Sequence, residues 1–137
     1  MAGFGTISTK EKETLIPLLV GLLKHRSGKQ SVFSNTKLRQ TLSDFGYDVA
    51  DSDIRRFVFY IRNNDVLELL IANQSGYYLA NDTTDVKEWM ARQEGKIVAM
   101  KQTLASIKRQ YTESYNNLAD GDDSLLAGQL SFFEDAE

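Results

Sequence analysis

Among its 137 residues the chain has no cysteine, one histidine and one proline. Lack of cysteine excludes disulfides, thiolate nucleophiles and cysteine-ligated zinc. The single histidine, His25, stands among basic residues, where a helix-end role is expected ahead of catalysis, and no hydrolytic triad can be assembled around it. Carboxylates with metal-binding spacing are also missing. Asp120, Asp122 and Asp123 come without the glycine and distal glutamate of a calcium loop, and Gly3-Phe4-Gly5 precedes no strand, so it is no phosphate loop. The longest apolar run, Leu15 to Leu23, is too short to span a bilayer, and no basic start followed by an apolar stretch marks a signal peptide. These absences lead to the expectation of a non-catalytic cytoplasmic protein with no cofactor, no metal and no membrane partner.

What is present is ordinary for a globular protein of one domain: 42% apolar and 26% charged residues. The net charge of −3 hides an asymmetry, because residues 118–137 hold six acids and no Lys or Arg. The rest of the chain therefore carries 16 basic against 13 acidic residues, and between Lys24 and Arg62 the count is eight basic to four acidic. An acidic tail on a mildly basic body leaves nucleic acid open as a partner.

Residues 1–7 are small and expected to be flexible. Ser8 to Glu11 reads as a capping box, followed by an apolar face of Leu15, Ile16, Leu19, Val20, Leu22 and Leu23. Pro17 lacks an amide donor, so the helix either kinks there or begins near Thr14. Lys24 to Lys29, with Gly28, closes it. Val32-Phe33 is a candidate short strand. Ser34 is a candidate cap for a helix carrying Leu38, Leu42 and Phe45 at helical spacing and ended by Gly46. After the turn Tyr47–Ala50, Asp51 or Ser52 is expected to cap a third helix reaching about Asn64. Its inward face is Ile54, Phe57, Val58 and Ile61. Val66 to Ala72 and Tyr77 to Leu79 are β-prone, with Asn73-Gln74-Ser75-Gly76 as a four-residue hairpin loop. A long helix follows from Thr83, with Asp85 and Glu88 in its first turn and Trp89 expected beneath it. Val86, Met90, Gln93, Ile97, Met100, Leu104, Ile107, Tyr111 and Leu118 alternate spacings of four and three, interrupted only by Gln93 and Ser114. Such a stripe suggests a partner helix, and Ile97, Met100, Leu104, Ile107 and Tyr111 are the expected homodimer contacts. The alternative is that this helix folds back over the chain's own core.

The segments Ile54-Arg55-Arg56-Phe57-Val58-Phe59-Tyr60-Ile61-Arg62, Leu69-Leu70-Ile71-Ala72 and Gly76-Tyr77-Tyr78-Leu79-Ala80 resemble the small winged-helix proteins of phages and prophages over roughly residues 14–111. The resemblance implies an α+β, mostly α fold: a winged helix-turn-helix with a long C-terminal helix and a flexible acidic tail. Taken with the heptad stripe and the acidic tail, this divides the chain into a flexible start (1–7), a winged-helix domain (8–82), an expected dimerisation helix (83–118) and a tail (119–137). Double-stranded DNA is the implied partner, met by the third helix in the major groove. Arg55, Arg56, Phe59 and Arg62 would lie off the apolar face, with Ser52 at the helix start. Arginines there can meet guanine edges or phosphates. Lys29, Lys37 and Arg39 would lie against the backbone, and Asn73 and Gln74 would sit at the wing tip. The plainer reading is that these side chains solvate a helix.

In the tail, Gln129-Leu130-Ser131-Phe132-Phe133 resembles the short peptide by which bacterial replication and repair proteins grip the sliding clamp, with Phe132 in place of the usual leucine. In such peptides the glutamine bonds at a rim and the apolar residues fill a groove. The alternative is that Leu125, Leu126, Leu130, Phe132 and Phe133 pack on the chain itself or on a dimer mate. The leading expectation is a replication-associated accessory protein. The runner-up is a winged-helix transcriptional regulator, and the third a protein-docking adaptor or host-factor inhibitor that does not bind DNA.

Overall fold

Ser8 opens the first helix, α1 (Thr9–Glu13), by the reciprocal box expected of it. Its hydroxyl accepts from the Glu11 amide at 3.1 Å, while its own amide donates to the Glu11 carboxylate at 3.0 Å. The computed structural model describes residues 6–115, and the side chain of Tyr115 is not described. Pro17 resolves to the second of its two expected outcomes. α1 stops at Thr14, and α2 (Leu15–Leu23) starts afresh, placing the proline at its third position, where an amide would have no partner within the helix.

Ser34 caps α3 (Asn35–Asp44), accepting from the Lys37 amide at 3.1 Å. α3 ends in a complete Schellman arrangement. Gly46 takes φ 91°, its amide donates to the Ser43 carbonyl and the Tyr47 amide to the Leu42 carbonyl. Phe45 is not a core residue. It falls at the helix's C-cap and is 60% exposed. α4 (Asp51–Asn63) is capped by neither Asp51 nor Ser52. Ala50 occupies the cap, and the Asp53 carboxylate accepts from its amide at 2.9 Å, so only the carboxylate half of a box is available. Two acids in the first turn also favour the helix's positive end.

The strands are β1 (Leu70–Asn73) and β2 (Gly76–Leu79), antiparallel, with Leu70 opposite Leu79 and Asn73 opposite Gly76. The strand thus begins four residues later than its β-prone composition suggests. Asp65 holds φ 54° just past α4 while the Val66 amide donates back to the Ile61 carbonyl, so residues 64–69 form a helix stop rather than a strand. The hairpin loop is two residues, Gln74 and Ser75, since Asn73 and Gly76 belong to the ladder. Val32 is not in a strand. Phe33 alone pairs with Tyr77, through bonds of 2.8 and 3.0 Å, and Ser27 bridges Leu79, with a short 3-10 turn (Lys29–Ser31) between. The outer edge of β2 is therefore occupied, which removes an exposed edge for unwanted pairing.

One apolar cluster unites these pieces. It holds Leu15, Ile16, Leu19 and Leu23 from α2, the bridge residue Phe33, Leu38 and Leu42 from α3, Ile54, Phe57, Val58 and Ile61 from α4, and Leu70 and Tyr77 from the hairpin. The expected inward face of α4 is thus buried whole, while on α2 Leu15, Ile16, Leu19 and Leu23 are buried and Val20 and Leu22 only partly so. The chain divides into two units after Trp89. The last helix, α5 (Thr83–Tyr115), opens in the first unit and supplies the described part of the second. Asp82, just before it, accepts from the Thr84 amide at 2.7 Å. Trp89 is only half-buried rather than core. The chain is thus mostly helical with one small antiparallel sheet, and no described helix is long and apolar enough to cross a membrane.

Candidate nucleic-acid interface

α4 buries Ile54, Phe57, Val58 and Ile61 almost completely, so its opposite face is fixed by the 100° step of the helix. Ser52, Arg55, Phe59 and Asn63 lie on that outward face. Phe59 is 40% exposed, and Asn63 turns its amide back to the Phe59 carbonyl at 2.8 Å. Arg55 is half-buried, and no hydrogen bond or ion pair holds its guanidinium among the described residues.

The other two arginines of α4 are engaged within the protein. Arg56 forks onto Glu11 at 2.6 and 2.9 Å, reaches Asp53 at 3.0 Å and donates to the Thr6 carbonyl at 2.8 Å. The guanidinium bonds hold the Glu11 carboxyl far below its usual range, at about 2, although partial burial opposes this, and they raise the Arg56 pKa in return. The α4 sequence contains no acid after Asp53 on that side, but α1 supplies one from 45 residues away. Arg56 is therefore a tie between α1 and α4, not an outward contact. Arg62 donates from Nε to the Leu70 carbonyl at 2.7 Å and lies 5.1 Å from the Trp89 ring centre and 6.0 Å from that of Tyr77. It joins α4 to β1 and to the start of α5.

Arg39 is exposed but also bonds within the fold. Its Nε donates to the Val49 carbonyl at 2.9 Å and it pairs with Asp51 at 3.1 Å, bracing the turn that leads into α4. Lys29 stands apart from the α4 face, 3.9 Å from the buried Asp85, beside a shallow polar cleft of about 220 Å³ between residues 27–31 and 81–85. Both partners of the Arg39 pair are open to water, so that bond contributes little.

Lys37 remains outward, with its ammonium 5.7 Å from the Phe33 ring. Arg26 lies over the same ring at 4.4 Å, a position that sequence spacing alone gave no reason to select. The hairpin tip approaches this pair. Gly76 sits so close to Phe33 and Ser34 that a methyl group there would fall 2.3 Å from the Phe33 carbonyl oxygen and 2.7 Å from Ser34 Cα. Its φ of 141° also suits glycine alone. Arg26, Lys37, the start of α3 and the tip are thereby gathered. At the tip the Asn73 side chain accepts from the Ser75 amide at 2.8 Å, leaving its NH2 group, and Gln74 is exposed.

Of the ten side chains expected to meet DNA, Arg39, Arg56 and Arg62 are held by other parts of the fold, and Lys29 faces Asp85. Ser52, Arg55, Phe59, Lys37, Asn73 and Gln74 keep outward positions. Gln129, Leu130, Ser131, Phe132 and Phe133 lie outside the described residues. No group of His, Asp or Glu among the described residues could hold a metal ion. No protein family matches the chain, and neither a curated protein nor a solved structure matches it.

Proposed function

We propose that this chain is a non-catalytic protein that binds duplex DNA through a winged helix-turn-helix made by α2, α3, α4 and the β1–β2 hairpin. The observation that carries the reading is the outward face of α4. A helix whose opposite side is fully buried holds Ser52, Arg55 and Phe59 on a rigid support, which a groove-reading element needs. Arg26 and Lys37, gathered by the hairpin tip at Phe33, give the phosphate-facing charge. The segment from Lys24 to Arg62 keeps its basic excess.

The tail motif Gln129–Phe133 extends the proposal to a phage or prophage replication accessory that meets a bacterial sliding clamp while its folded part holds DNA. A tethered peptide gains from the local concentration that the DNA contact supplies.

Fluorescence anisotropy of a labelled duplex against the full chain tests the DNA reading. Arg55→Ala is expected to weaken binding by about 1–3 kcal/mol without lowering the melting temperature. Equal affinity of the two proteins removes α4 from the interface. On an immobilised sliding clamp, the full chain is expected to bind and Gln129→Ala to lose binding. A tail inert to the clamp, combined with sequence-specific duplex binding, points instead to a transcriptional regulator. Clamp binding without DNA binding points to an adaptor, for which the exposed Phe45 and Phe59 would be docking residues.

A further inference from the structure

The part of α5 beyond Trp89 carries an apolar seam that is partly open among the described residues. Met90, Ile97, Met100 and Ile107 are 44%, 50%, 37% and 38% exposed, with Leu104 and Tyr111 between and after them at spacings of three and four. Three heptads of this pattern on a helix of this length are the signature of a helix-to-helix seam. Gly95, the weakest helix former in it, falls on the far side.

We propose that a second copy of this chain covers the seam, running antiparallel, with the pair centred between Val98 and Ala99. This rests on the seam and its flanking charges and does not depend on DNA binding. In that arrangement Ile97 faces Met100 of the other copy, Met90 faces Ile107, and Leu104 faces the polar Gln93, so each seam position from Met90 to Ile107 meets another. The flanks select this direction. Antiparallel pairing sets Glu94 against Lys101 twice. A parallel pair sets Lys96 against Lys101 twice and supplies no opposite-charge contact. The antiparallel form's own like-charge contact, Lys87 with Lys108, also occurs twice but falls at the outer ends. Gln93 alone favours the parallel form, where two glutamines can bond one another, and the clashing lysines that accompany it oppose that form.

The absence of native cysteine makes the test direct. Light scattering on the full chain is expected to give twice 15.5 kDa, and Leu104→Glu to give a monomer whose residues 1–89 melt unchanged. Met90→Cys and Ile107→Cys proteins, mixed and oxidised, are expected to cross-link to each other, while neither cross-links alone. In the antiparallel pair, residues 90 of the two copies stand roughly 25 Å apart at 1.5 Å per residue, beyond disulfide reach. Glu94→Lys is expected to weaken the dimer about tenfold by turning two attractive contacts repulsive, and adding Lys101→Glu to restore it. A monomeric wild-type chain, including one whose residues 116–137 cover the seam instead, overturns the proposal. So does self-cross-linking of Met90→Cys.

Discussion

Arg56 shows how a residue's role depends on what the rest of the chain brings to it. By composition and position it resembles Arg55, its neighbour, yet one is outward and the other grips Glu11, Asp53 and the Thr6 carbonyl. Because the Glu11 carboxyl is held at about 2 in the folded protein against 4.5 when unperturbed, its ion pair stabilises fully above pH 4.5 and is lost as pH falls toward 2. Thermal melts across that window are expected to show a fall in stability that Glu11→Gln, already lower at neutral pH, lacks. Arg56→Ala is expected to destabilise by about 1–3 kcal/mol, since the pair is partly buried and its loss leaves two carboxylates without their cation. An unchanged melting temperature would refute the tie. None of this was legible locally. The α4 sequence shows three outward arginines, and only the return of α1 across the helix distinguishes them. The buried positions, by contrast, were readable from their spacing alone, because Ile54, Phe57, Val58 and Ile61 can share only one side of a helix.

At the scale of elements, the helices were legible where a local device defines them: the Ser8–Glu11 box, Ser34 as a cap, Gly46 as a stop. The hairpin's existence was legible too, but not its register. Val66 to Leu69 have strand-like composition, yet α4 ends in a left-handed residue, Asp65, that turns the chain before pairing can begin. Gly76 then fixes the tip against Phe33 and Ser34. Gly76→Ala is expected to destabilise by about 2–4 kcal/mol, because a methyl group would strike main-chain atoms at a φ disfavoured for alanine. A loss below about 1 kcal/mol in chemical denaturation would show that the tip can shift freely. The same variant is expected to weaken DNA binding even at temperatures where it is folded, since the tip, Arg26 and Lys37 are positioned together. Ser34→Ala offers the milder comparison, about 1 kcal/mol for a lost cap.

For the whole molecule, charge predicts the character of the proposed DNA contact. With Arg39, Arg56 and Arg62 engaged internally, Arg26, Lys37 and Arg55 remain as the main phosphate or base contacts. Affinity is therefore expected to fall with salt at a slope of log K against log salt near −3, at about −0.9 per neutralised phosphate. A slope near −5, at about −0.9 for each of six contacts, would mean that Arg39, Arg56 and Arg62 let go of their internal partners on binding. The overall pI of 5.2 conceals this behaviour because the acids of residues 118–137 outweigh a basic body. The sequence disclosed that asymmetry plainly. What it could not disclose is which arginines between Lys24 and Arg62 bond within the fold once it has formed.

The contact between Arg62 and Trp89 has an optical consequence. Trp89 is the chain's only tryptophan, and a guanidinium lies 5.1 Å from the centre of its ring. Its emission is thus a built-in reporter on whether α4, β1 and the first turns of α5 are together. Excited at the indole band, the protein announces the melting of residues 1–89 without any attached dye. Used beside a size measurement, this one ring distinguishes a variant that has fallen apart into single chains from one that has lost its fold.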